Sequence, residues 1–353
     1  TDQRGNILWV DDEIHHLKPH ILFLEEKGYN LTQVTNGQDA IALLNENNYD
    51  LILLDHSMPG MDGLETLKKI KTNQPNKIVI LITKTEDEWL MNEAITSQVE
   101  QFLTKPVNPS QIFMACKQAL EKIKLQEEKV TSDYLKEFQE INSILVNKLT
   151  INDWWMLYDR LVDWQIKFDT FRNTGLGNIL DEQIQTCNKE FVQFVEDNYE
   201  KWMQGNNRPV LPNDVISKYV KPLLDEDKRV LLLVVDCMRY DHFKTLLPIF
   251  ESLFRVKIHP AFSLLPTATP YSRNAIFSGI FPDEMISRYP KQKEDFKSDN
   301  SSLNQHEREF LIDNLKKLNL QHKSMHYHKI WAVNEGKKFL NRVKDFSKQD
   351  LLA

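Results

Sequence analysis

The chain has 353 residues, 41% of them hydrophobic and 27% charged, which suits a globular protein of two or three domains. A net charge of −7 excludes the broad basic footprint of a nucleic-acid-binding surface. Cys116, Cys187 and Cys237 lie far apart without a CxxC pair, which excludes a disulfide framework and a cysteine zinc site. With no basic-then-apolar leader and only strand-length apolar runs, a cytoplasmic protein is expected, with no membrane insertion.

Over the first 125 residues, "ILWV" (7–10), "LTQV" (31–34), "LILL" (51–54), "IVILI" (78–82) and "QFL" (101–103) read as strands, separated by segments of helical spacing. Five such units predict a parallel sheet covered on both faces, with its ligand site beyond the carboxyl ends of the strands. Those ends carry Asp11 and Asp12, Asp55, Thr83 and Lys105. Clustered carboxylates repel one another unless a hard cation such as Mg²⁺ offsets the repulsion. One carboxylate is then free to attack a phosphoryl group whose oxygens are held by the metal and a lysine. "TKP" (104–106) admits a cis Lys–Pro bond that would aim Lys105 into the site. A single Asp after a strand is ordinarily a turn residue. "DD", "LLDHSMPGMDG", a threonine and "KP" at successive strand ends are not.

With these motifs, residues 5–124 closely resemble the response-regulator receiver family. The resemblance implies that Asp55 is the phosphoacceptor, that Asp11, Asp12 and Asp55 hold Mg²⁺, and that Thr83 and Lys105 form the switch pair. Phe102 falls at the aromatic switch position. It also implies a sensor histidine kinase as partner and a phosphorylation-dependent homodimer formed around the fourth helix and fifth strand. Lys84 departs from the family, whose residue after the switch threonine is usually very small. A long cation there would either slow phosphodonor access or stabilise the aspartyl phosphate, and the sequence leaves both open.

Residues 125–225 show apolar spacing of three to four and no strand alternation, which predicts a small helical bundle. Trp154, Trp155 and Trp164 suit bulky core packing better than a ligand platform. Over 131–225 there are 15 acidic and 10 basic residues, a poor match to a DNA backbone, so no sequence-specific DNA binding is expected. The turn-rich stretch 205–214 reads as a connector.

"RVLLLVVD" (229–236) reads as a buried parallel strand ending in Asp236, and 255–265 as strand and loop. "PTATPYSRNAIFSG" (266–279) then places Thr269 and Pro270 at a helix start, where the hydroxyl either caps the helix or faces a phosphate in its positive field. An aspartate and a threonine at successive strand-to-helix junctions suit a divalent metal with Thr269 as an activated alkoxide.

This region resembles the alkaline phosphatase superfamily. Thr269 stands at the nucleophile of the phosphodiesterase motif, and Arg273 where sulfatases carry an arginine. A threonine cannot become formylglycine, so phosphoryl chemistry is favoured over sulfuryl chemistry. "VVDCMRYDHF" resembles the opening of the PglZ branch. The resemblance implies Zn²⁺ or another divalent metal held in part by Asp236 and Thr269. After Thr269, however, the sequence has no Asp-x-x-x-His and no Asp-His. His322, His326 and His328 alternate as in a strand and read as satisfied or surface histidines. The segment 226–353 is expected to be an incomplete domain, too poor in ligands to hydrolyse phosphodiesters by itself, with Thr269 then acting only as a cap.

The expected fold class is therefore α/β: a (βα)5 receiver (1–124), a helical bundle (125–225) and an incomplete alkaline-phosphatase-type α/β domain (226–353). Together these resemble PorX-type response regulators, which implies a metal-dependent phosphodiesterase or phosphatase output and a role in type IX secretion. The alternative is a non-catalytic, phospho-switched scaffold that binds a secretion component or transcription factor.

Overall fold

The structure is a computed structural model; it describes residues 4–84, 93, 96, 99–170, 175–205, 208–290 and 305–353. The chain divides into two compact units, one comprising residues 1–142 with 167–179 and the other 143–166 with 180–353.

In the first unit, strands β1 (Gly5–Val10), β2 (Tyr29–Val34), β3 (Leu51–Asp55), β4 (Ile78–Thr83) and β5 (Gln101–Thr104) form a parallel sheet of order β2-β1-β3-β4-β5. The apolar runs of β3 and β4 are buried at every residue because helices cover both faces of the sheet. One face packs Ile7, Trp9, Leu51, Leu53, Ile80 and Ile82. The other packs Leu8, Val10, Ile52, Leu54, Val79 and Leu81. Helix α1 (Lys18–Glu26) carries Pro19 in its first turn, and a 3₁₀ turn, Ile14–Leu17, precedes it. Helices α2 (Gly37–Glu46) and α3 (Gly63–Asn73) are capped by Asn36 and Asp62, whose side chains accept from Asp39 N and Glu65 N. A Cβ at Gly63 would lie 2.4 Å from the Asp55 carbonyl oxygen and 2.7 Å from His56 Cα. Only glycine lets α3 start this close behind Asp55. The expected fourth receiver helix falls largely on residues outside those described.

Helix α4 runs unbroken from Pro109 to Leu145 and packs Ile112, Ala115, Cys116 and Ala119 onto the sheet. Helices α5 (Ile151–Thr170) and α6 (Gly177–Gln204) follow, so the middle of the chain is helical as its periodicity requires. Trp154 and Trp164 are buried, while Trp155 is half-buried against Tyr240 at 4.9 Å.

The second unit continues with α7 (Lys221–Asp225), β6 (Val230–Leu231), α8 (Tyr240–Leu253), α9 (Thr269–Ser278), α10 (Pro282–Arg288), α11 (Glu307–Lys317), β7 (Met325–His326), α12 (Val333–Phe346) and β8 (Leu351–Leu352). The short parallel sheet has the order β6-β8-β7, so Leu351 and Leu352 form the central strand and are buried.

The expected long strand over 229–236 is corrected: only Val230–Leu231 pairs. Leu231, Leu233 and Val235 are 57%, 70% and 61% exposed, because only the other side of the segment, Val230, Leu232 and Val234, packs against the core. Likewise 255–265 forms no ladder. Gly279 ends α9 at φ +65°, and a Cβ there would strike Asn314, which donates from Nδ2 to the Phe277 carbonyl at 3.0 Å.

Candidate functional site

The strand order reverses between β1 and β3, and the crevice beyond their carboxyl ends is where such sheets place a ligand. Asp11 follows β1 and is fully buried; Asp55 ends β3 and is 1% exposed; Asp12 is half-buried. One carboxylate oxygen from each lies within 4.8 Å of the others. Lys105 follows β5, and its Nζ donates to Asp11 Oδ2 at 2.9 Å. The same ammonium lies 2.9 Å from Asp55 Oδ1, off the direction of a hydrogen bond, so that this buried oxygen has a charge neighbour but no directed donor. The Lys105–Pro106 bond is cis. Thr83 is buried at the end of β4 and accepts at its carbonyl from Lys105 N. Phe102, opposite Leu81 on edge strand β5, is half-buried against the second core face.

Burial raises the Asp55 pKa above the ordinary aspartate range; Lys105 opposes this and the charge of Asp11 adds to it. Burial alone would lower the Lys105 pKa, but Asp11 and Asp55 outweigh it and the pKa is raised. Three converging carboxylates, one with an oxygen lacking a directed donor, fit a hard divalent cation held by oxygen ligands. Lys84 turns to Glu13, with Nζ 3.3 Å from Oε2 and both side chains more than half exposed. The hydrogen bond and charge of Lys84 lower the Glu13 pKa.

The raised Asp55 pKa has a measurable consequence in chelator. The native state retains a proton that the unfolded chain releases, so stability falls as pH rises from the ordinary aspartate value through the raised one. Denaturant titrations of the receiver across that window are expected to show this slope, and Asp55→Asn is expected to remove it. An identical slope in the variant would assign it to another group.

In the second unit, Asp236 Oδ1 accepts from Cys237 N at 3.0 Å, and Asp236 Oδ2 from Arg273 Nη1 at 3.0 Å. Arg273 lies one helical turn after Thr269 on α9 and also donates from Nε and Nη2 to Glu307, at 2.5 and 2.9 Å. These bonds to Glu307 raise the Arg273 pKa. Tyr327 donates its hydroxyl to Glu307 at 2.6 Å, and Lys329 lies 3.4 Å away.

Thr269 does not cap its helix, which corrects the cap expectation. Ala268 has the extended cap backbone, its carbonyl accepts from Tyr271 N and Ser272 N, and no side chain bonds to the helix start. Both Asp236 oxygens already have donors, and among the described residues no group of three His, Cys, Asp or Glu gathers there. Asp236 and Thr269 therefore do not fit a zinc ion as they stand. His326 stacks on Phe346 at 3.8 Å and His328 on Phe339 at 4.7 Å, on one side of the strand as their alternation requires, and His322 is exposed.

Sequence reasoning missed Glu307. Its signal was nonetheless present: the buried positions of α11 are 307, 310, 311, 314 and 315, so a glutamate occupies the first place of an otherwise core-facing stripe.

Family models match the chain in three consecutive stretches: the response regulator receiver domain over residues 7–117, the PorX response regulator linker domain over 124–203, and the BREX system PglZ alkaline phosphatase-like domain over 215–344. The chain carries the three domains of a PorX-type response regulator. The transcriptional regulatory protein ZraR of Klebsiella oxytoca is 32% identical over 156 residues, 43% of this chain and 35% of that protein. The transcriptional regulatory protein ResD of Bacillus subtilis is 34% identical over 114 residues, 32% of this chain and 47% of that protein. The chain thus spans a third to a half of the length of these curated relatives. A CheY-like receiver from Methanospirillum hungatei is 25% identical with a TM-score of 0.33, covering 34% of this chain and 97% of that one. Among the described residues no helix is long and apolar enough to cross a membrane.

Proposed function

We propose that this PorX-type regulator is switched by phosphorylation of Asp55, with a sensor histidine kinase as the physiological donor. The observation that carries the reading is the buried Asp11–Asp12–Asp55 cluster closed by Lys105. Asp11, Asp12 and Asp55 are the residues that would hold Mg²⁺, which supplies neutralising charge to the carboxylates and the phosphoryl oxygens.

The Asp55 carboxylate attacks phosphorus in line with the departing group. The new O–P bond forms as the bond to the donor breaks, and the leaving group takes the electron pair. Lys105, already charged and within 2.9 Å of both the Asp11 and Asp55 carboxylates, meets the phosphoryl oxygens with little reorganisation. The Thr83 hydroxyl then follows the new charge, and Phe102 turns inward, changing the exposed edge of β5 so that two copies pair. A few kcal/mol of bias is enough for such a shift. Acetyl phosphate with Mg²⁺ should add one phosphoryl group by intact mass, and sedimentation should show a monomer becoming a dimer. No mass gain, or a gain equal in EDTA, contradicts the reading.

For the output we propose the PglZ-like domain, with the receiver ending near residue 124 and the helical segment near 225. The family match and the Asp236, Thr269 and Arg273 motif support metal-dependent phosphodiesterase or phosphatase chemistry, coupled to type IX secretion, with Thr269 as nucleophile only where the domain supplies further metal ligands beside Asp236. A scaffold role, binding a secretion component or transcription factor, is favoured by a different observation: Arg273 holds Asp236, and β6 presents an exposed apolar edge. Metal-dependent turnover of a chromogenic phosphodiester by a protein with the whole PglZ-like domain, lost in Thr269→Ala, supports the first reading; no turnover by that protein supports the second.

A further inference from the structure

In the second unit a cleft of about 1020 Å³ lies between the 151–161 stretch of α5, the 187–202 stretch of α6 and the segments 208–219 and 259–267. Sites that hold small molecules span roughly 300–1,000 Å³ and are mostly apolar with a few placed polar groups. Here the wall is aromatic: Trp154 meets Phe191 at 5.2 Å and Trp202 meets Phe262 at 4.9 Å, both edge-on. The wall is not closed, since Tyr158, Val192 and Leu265 on its border are 48%, 55% and 45% exposed. A ligand covering them removes apolar surface from water.

Positively charged and polar side chains also border the cleft. The Tyr219 and His259 rings lie 5.2 Å apart, next to Lys218. Arg208 also borders the cleft, but it is bound by two bonds to Asp214, at 2.5 and 2.8 Å. Lys218 is exposed, and its charge helps Arg208 to lower the Asp214 pKa. Glu196 comes from α6, a different wall from Lys218 and His259.

We propose that the cleft binds a small amphiphilic anion, an acyl or aryl acid whose apolar body packs on Trp154, Phe191, Trp202 and Phe262 and whose charged end meets Lys218 and His259. The wall segment 259–267 runs directly into the helix that begins at Thr269, so occupancy fixes the lead-in to that helix.

The probe is 8-anilinonaphthalene-1-sulfonate, which has the same division into aromatic body and anion. Three of the seven tryptophans, Trp154, Trp155 and Trp202, line the cleft and report its binding by energy transfer. The whole chain should bind one dye saturably, and dodecanoate should displace it at least tenfold better than dodecanol. Lys218→Glu should weaken dye and dodecanoate about tenfold. Val192→Trp, at an exposed position on the border, should block the cleft while leaving the circular dichroism unchanged. Non-saturable dye binding, equal affinity in both variants, or equal displacement by dodecanol would overturn the proposal. Absence of dye binding would do the same and leave the cleft to an apolar peptide.

Discussion

Asp55→Asn is expected to abolish phosphorylation, with no added phosphoryl in the intact mass after prolonged treatment with acetyl phosphate and Mg²⁺. The amide keeps the shape of the side chain and loses the nucleophilic charge, so the receiver still folds while the acceptor is gone. Lys105→Ala is expected to act differently. It leaves Asp55 in place but takes away the one cation within reach of both buried carboxylates among the described residues. Removing one preorganised stabiliser of transition-state charge costs roughly 10²–10³ in rate. It also removes the group that opposes the raised Asp55 pKa, which then rises further. The Lys105 variant should therefore phosphorylate slowly and recover in part as pH rises, which Asp55→Asn cannot do. A phosphoryl gain in Asp55→Asn equal to that of the parent would remove Asp55 from the acceptor role.

The receiver was legible because its sheet is complete. β1, β3 and β4 are buried on both faces, so they carry apolar runs, and Asp11, Asp55 and Thr83 each sit at the first polar position after such a run. The C-terminal region was harder to read for a physical reason. The run 229–236 is as apolar as β3, but its one neighbour is the two-residue strand β8 and only one face is covered. Hydrophobicity records what a segment is able to bury against, and tertiary partners decide whether it does. The same limit applies to Thr269. A Thr-Pro pair signals a helix start, but whether threonine or the preceding alanine takes the cap depends on backbone angles that composition does not specify. Glu307 carried a readable signal, a polar residue on a core stripe, yet its partner Arg273 lies 34 positions away and no local motif joins them.

That pair gives the second large effect. Glu307 is 1% exposed and is held by Arg273, by the Tyr327 hydroxyl and, at 3.4 Å, by Lys329. Arg273 in turn ties α11 to Asp236 at the end of the edge segment. Removing one partner of a buried pair leaves the other charged and unsolvated, at a cost of about 3–5 kcal/mol. Glu307→Ala strands Arg273 with Asp236 alone, a carboxylate whose side chain is 41% exposed, and also leaves the Tyr327 hydroxyl without its acceptor. The variant should lose the thermal transition of the second unit at moderate temperature while phosphorylation of Asp55 persists, since the receiver is a separate compact unit. Arg273→Met with Glu307→Leu replaces both charges by apolar groups of similar volume, and such replacements are often neutral or stabilising. The double variant should therefore regain much of the stability lost in Glu307→Ala while its Asp236 carboxylate is released from the guanidinium. Hydrogen exchange over α11 measures both effects. Protection in Glu307→Ala equal to that of the parent would mean that the pair holds neither the helix nor Asp236 in place.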